Sequence, residues 1–116
     1  MSIEVTVDGD GTPTCTPATK SKAKGSGKLT WHLKTAGYDF TGLQFDDPQP
    51  AAGIFTNKTV LANKITMDDN NPGGGSAVDY PYTIGVAASA SKPVKGARLE
   101  SGRLGSGSAV IRNEPT

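Results

Sequence analysis

A single histidine, His32, and a single cysteine, Cys15, limit what catalysis this chain can support. A Ser-His-Asp or Cys-His catalyst would have to use His32 as its base. It would also need an orienting carboxylate and an oxyanion hole brought from other strands. His32 falls on the polar half of the alternation Leu29-Thr30-Trp31-His32-Leu33, which reads as an exposed position on a sheet. Cys15 stands among threonines and prolines with no second cysteine nearby. Lys20, Lys22 and Lys24 could activate it only if their loop folded back, so the expected state is an unreactive thiol. One histidine and one cysteine cannot furnish the four ligands of a structural zinc site. No catalytic residue and no cofactor is expected.

Oxygen-rich clusters are the better metal candidates: Asp8/Asp10, Asp46/Asp47, and Asp68/Asp69 with Asn70/Asn71. Calcium takes six to eight oxygens, which loops at one end of a β-sandwich could pool. Asp8-Gly9-Asp10 opens like a helix-loop-helix calcium loop, but Pro13 takes the glycine position and no glutamate closes it. The plainer reading is turn-forming Asp and Asn with no metal. Gly25-Ser26-Gly27-Lys28-Leu29-Thr30 departs from a phosphate loop in its glycine spacing, in Leu29, and in the strand that follows. Lys20 to Lys28 carries four lysines without interleaved aromatics, which suits a solvated loop and not a nucleic-acid patch.

The 116 residues fit one domain, 1–116. Fifteen glycines and eight prolines exceed the usual combined share of roughly 12%, and such frequent punctuation implies short elements and many turns. Ile3-Glu4-Val5-Thr6-Val7 alternates as a half-buried strand and ends at Asp8-Gly9-Asp10-Gly11. Residues 12–26 read as a polar loop with at most one short edge strand, because Pro13 and Pro17 cannot donate to a ladder. Lys28 to Lys34 is the clearest strand, with Leu29, Trp31 and Leu33 inward. After a turn at Ala36-Gly37, Tyr38 to Phe45 reads as its hairpin partner. Tyr38, Phe40, Leu43 and Phe45 are its core candidates, and a bulge at Thr41-Gly42 absorbs a slip in the spacing.

Residues 54–71 hold neither glycine nor proline. Their β-branched content favours one or two strands over a helix. Asn70 to Ser76 reads as a mobile loop. Tyr80 to Ala88 alternates with Tyr80, Tyr82, Ile84 and Val86 on one face; Val94 to Leu99 is a weaker strand, and Ser108 to Arg112 is the last. The expected fold is all-β, an immunoglobulin-like sandwich of two antiparallel sheets with about seven strands. Trp31 inside an early strand and Tyr82 two residues before Ile84 fit that core, with Asp79 three residues ahead of Tyr82.

The chain also resembles the DP-EP family of small bacterial proteins, named for two dipeptides. Asp47-Pro48 follows the second aromatic strand, and Glu114-Pro115 lies near the end. The resemblance implies a compact β-sandwich of unassigned function. Asp47, Pro48, Glu114 and Pro115 are expected to be structural, because a carboxylate can accept backbone amides in a turn while proline fixes φ.

A net charge of +1, from 12 basic and 11 acidic residues, gives no reason to expect a polyanionic partner. No run approaches the roughly 20 apolar residues that cross a bilayer. Met1-Ser2-Ile3-Glu4 does not open like a signal peptide, so a cytoplasmic location is expected. These observations lead to a non-enzymatic binding or structural module that contacts an unknown protein or ligand. It would act as a monomer or as a weak homo-oligomer paired through edge strands. The alternative is a metal-dependent hydrolase in which Asp46, Asp47, Asp68 and Asp69 converge.

Overall fold

A computed structural model describes residues 2–46, 49–88 and 104–115. The described residues contain no helix and form nine strands: β1 (Ser2–Val7), β2 (Pro13–Thr16), β3 (Thr19–Lys22), β4 (Gly27–Leu33), β5 (Tyr38–Phe45), β6 (Phe55–Val60), β7 (Lys64–Asp69), β8 (Val78–Ala88) and β9 (Leu104–Asn113). They make a five-stranded sheet, ordered β2-β1-β4-β7-β6, and a four-stranded sheet, ordered β3-β9-β8-β5. The architecture is all-β and sandwich-like, with the apolar faces of both sheets turned toward one core.

Both sheets are mixed, contrary to the antiparallel expectation: β1 runs parallel to β4, and β3 parallel to β9. Parallel neighbours need a long connection. Here β1 is joined to β4 by an excursion through β2 and β3. The chain changes sheet repeatedly, and β5 is therefore not the hairpin partner of β4. Gly37, at φ 89°, turns the chain from one sheet to the other, and β5 pairs with β8. The segment 12–26 holds two short edge strands instead of one, since Pro13 occupies the tolerated first position of β2.

Other expectations hold. Residues 54–71 form the hairpin β6–β7, and the β5 register slips between Phe40 and Gly42. Asp8 closes the first turn, accepting from the amides of Asp10 and Thr12 at 2.9 and 3.0 Å. The last strand starts earlier than Ser108, at Leu104. The strand expected over 94–99 lies outside the described residues.

The core is a row of aromatic side chains set among aliphatic ones. Trp31 and Tyr82 are fully buried, in edge contact at 5.6 Å, and Trp31 Nε1 donates to the Tyr82 hydroxyl at 2.9 Å. A tyrosine corner would send this hydroxyl back to the main chain; it meets Trp31 and the Cys15 thiol. Asp79 lies on the opposite, outer face, held bidentate by Arg112 at 2.6 and 3.1 Å. That guanidinium keeps its carboxyl below the usual range.

Candidate functional site

The two bulged edge strands β5 and β6 shape an open cleft along one side of the sandwich. On β5 the bulge sets Gly42 opposite Gly85 of β8, so part of the floor carries no side chains. A Cβ on Gly85 would collide with the hydroxyl of Thr41, which leans across it. On β6 the register slips between Thr56 and Thr59, and Asn57 takes a left-handed φ of 58°. Asparagine tolerates that conformation, and its Nδ2 donates to Asp68 Oδ2 at 2.7 Å. Lys58 then reaches across to β5, where its Nζ donates to the Leu43 carbonyl at 3.0 Å.

Two hollows meet at this crossing. One, of about 570 Å³, is lined by Thr41, Gly42, Lys58, Val60, Thr83 and Gly85 together with Leu43 and Gln44. The other, of about 320 Å³, shares Leu43, Gln44 and Lys58 and continues over Phe45, Phe55, Pro50 and Ala51. The first offers an ammonium, hydroxyls and an amide; no carboxylate of the described residues lines it, and the Asp46 carboxylate stands behind Thr83. The second adds an apolar wall. Ligand sites commonly combine an apolar surface with a few placed polar groups.

Of the described residues singled out for catalysis or metal binding, Asp46 touches the cleft through Thr83 and the others lie elsewhere. His32 is half-buried on the outer face of the larger sheet, in register between Glu4 of β1 and Lys64 of β7. Cys15 sits on β2, and burial pushes its thiol up, away from the reactive thiolate. Asp46 accepts from the Thr83 hydroxyl at 3.0 Å. Asp68 and Asp69 alternate to opposite faces of β7, so only Asp69 turns inward. Among the described residues, no three His, Cys, Asp or Glu side chains gather in a metal-holding group. Asp47 and Pro48 lie outside the described residues. Glu114 and Pro115 act through their main chain: the Glu114 amide donates to Lys22 O at 2.9 Å, and Pro115 O accepts from Gly74 at 3.0 Å.

That terminal pairing belongs to a buried polar group, two members of which, Lys22 and Asn71, fall in segments expected to be loops. Lys22, expected in a solvated loop, ends β3 with only 5% of its surface exposed. Its Nζ donates to the carbonyls of Ala23 and Gly25. Asn71, expected in a mobile loop, is buried; its Nδ2 ties Lys22 O to Glu114 O at 2.8 and 2.9 Å. Asp69 is fully buried and accepts at Oδ1 from the Asn71 amide at 3.0 Å and from Asn113 Nδ2 at 3.1 Å. Asp69 Oδ2 and Asn113 Oδ1 are left as buried acceptors without a donor among the described residues. The available signal was phase: Asp69 continues Ile65 and Met67, and Asn113 continues Ala109 and Ile111, on the core-facing side.

Burial raises the Asp69 carboxyl above its usual range, against the opposing pull of Asn113, Asn71 and the Lys22 charge. An acid whose folded pKa is raised binds its proton more tightly when folded. Stability is therefore expected to fall as pH rises from the ordinary carboxyl range through that raised value. Asp69→Asn, which supplies a donor without titrating, should flatten this part of a urea-unfolding pH series. An equally steep fall in the variant would place the titration elsewhere.

In comparisons with known proteins, no family model matches this chain, and no curated protein matches it.

Proposed function

We propose that this domain is a non-enzymatic binding module whose ligand lies in the cleft between β5 and β6. The carrying observation is that two hollows of different chemistry, one polar and one lined by Phe45 and Phe55, meet at Lys58. A small ligand with a carboxylate head and an apolar body fits that pairing. Lys58 and the Thr41 hydroxyl receive the head, and the aromatic wall receives the body.

Strand addition is the less suitable mode of recognition. The Leu43 carbonyl is taken by Lys58, the Phe45 carbonyl by Gln49 Nε2, and the Phe40 amide by the Ala62 carbonyl. A bulge and a lysine interrupt β6, and β2 and β3 have four residues each. Such devices oppose edge-to-edge pairing, so the proposed state is a monomer. The resemblance to the DP-EP family and an immunoglobulin-like arrangement belong to the same reading. The first rests on Asp47-Pro48 and Glu114-Pro115; the second rests on the buried Trp31 between two sheets. An unpaired cysteine suits a reducing compartment, and no helix among the described residues is long and apolar enough to cross a membrane.

The test is a ¹H–¹⁵N titration with hexanoate, with hexanol as the uncharged control. Shifts should concentrate at Gly42, Leu43, Lys58 and Gly85 for hexanoate and shrink at least several-fold in Lys58→Met. No localised shift, or equal shifts with hexanol, would reject this reading of the cleft.

A further inference from the structure

The polar end of the sandwich brings together an amine, a carboxamide and a carboxyl group on three buried residues. Lys22 and Asn113 are in-register neighbours on the parallel strands β3 and β9, and both are buried, at 5% and 4% exposure. Asp69 approaches from the opposite sheet and is hydrogen-bonded to Asn113. Gly27, in register with Asp69, leaves room for the lysine stem: a Cβ there would stand 2.7 Å from Lys22 Cε and 3.4 Å from its Nζ. We propose that Lys22 and Asn113 join in an intramolecular isopeptide bond, with Asp69 moving the protons.

The two orphaned oxygens fit this chemistry. One proton on Asp69 Oδ2 gives Asn113 Oδ1 the donor it lacks, while Asn113 Nδ2 already donates to Asp69 Oδ1. The paired acid and amide then polarise the carbonyl that is to be attacked, as a placed donor does in acyl transfer. Burial favours the neutral acid in this position. A bound cation would satisfy the same oxygens, but the Lys22 charge, which acts on Asp69, opposes one.

Each step balances. Lys22 gives up one ammonium proton to water, which the departing ammonia takes back as ammonium. The neutral amine attacks Asn113 Cγ, forming an N–C bond as the carbonyl π pair moves to oxygen in a tetrahedral oxyanion held by the Asp69 proton. Asp69 then carries the proton lost from the attacking nitrogen to Asn113 Nδ2. The Cγ–Nδ2 bond breaks, ammonia leaves, and a secondary amide remains. No oxidant or cofactor is consumed. Asn113 is the electrophile because Asn71 is committed: its Nδ2 serves Lys22 O and Glu114 O, and its Oδ1 accepts from Gly73 at 2.9 Å. The Ala23 and Gly25 carbonyls hold the ammonium before reaction.

Intact-mass spectrometry of the purified full chain, incubated near neutral pH, tests the proposal. The wild type should be lighter than its sequence mass by one ammonia. A tryptic digest should contain one branched peptide linking the segments around Lys22 and Asn113. Lys22→Arg and Asn113→Ala should keep the full sequence mass. Asp69→Asn, nearly isosteric and shown folded by circular dichroism, should also keep it. A folded wild type at full sequence mass after prolonged incubation would overturn the proposal. So would ammonia loss that persists in Lys22→Arg, which marks a cyclic imide at an asparagine. Loss in Asp69→Asn at the wild-type rate would overturn the role given to Asp69.

Discussion

Replacing Trp31 with alanine is expected to cost the domain about 3–5 kcal/mol, the range for truncating a large aromatic in a packed core. The residue is fully buried at the centre of β4, between Ile3 of β1 and Ile65 of β7 in register. It is also a polar anchor, because its Nε1 hydrogen bond to Tyr82 joins the two sheets. The alanine variant therefore loses apolar area, leaves a cavity, and strips a buried hydroxyl of its donor. Trp31→Phe should recover much of the packing and still lack the bond, at a cost of about 1–3 kcal/mol for the unsatisfied partner. Urea unfolding measures both. A loss below about 1 kcal/mol for Trp31→Ala would mean that this side chain does not organise the core.

Alternation carried most of the fold class into view. Leu29-Trp31-Leu33 and Tyr80-Tyr82-Ile84-Val86 each face inward as their spacing predicts, because a period of two fixes which side chains share a sheet face. Pairing is a different quantity. The turn at Ala36-Gly37 has the residues of a hairpin turn, yet it hands the chain to the opposite sheet. The partner of β5 is decided by Ile84 and Val86, some forty residues later. Long-range competition of this kind leaves no mark in a local window, and the parallel pairs β1–β4 and β3–β9 leave none for the same reason.

The candidate sites were legible to different degrees. Nothing in Thr41, Lys58 or Thr83 marks them individually, and the cleft exists only because two bulges lie at facing sheet edges. The buried group at Lys22, Asp69 and Asn113 did leave a trace. A charged or amide residue in phase with an apolar alternation points at the core, where it must find partners. Asp69 beside Asp68, Asn70 and Asn71 looks like turn chemistry by composition, but phase separates it from Asp68.

Gly107→Ala is expected to destabilise the domain by about 1–3 kcal/mol, as overpacking does, or more if the strands separate. Gly107 lies on β9 opposite Ile84, with its missing side chain directed at β2. A Cβ there would collide with the Pro13 carbonyl, a main-chain group that no rotamer change can move. Pro13 opens β2 at the edge of the five-stranded sheet and is held by pairing with Val7. Relief would have to move β2 or β9 as a whole, and with it Cys15 above Tyr82. Gly85→Ala should be milder, since its collision is with the Thr41 hydroxyl, which can rotate away. Gly75→Ala meets open space and should stay within about 0.5 kcal/mol of wild type. Thermal and urea unfolding of the three variants would show that order, largest loss at Gly107 and least at Gly75. Equal losses at all three would mean that chain entropy, and not the close approach of β2 and β9, sets the cost of these glycines.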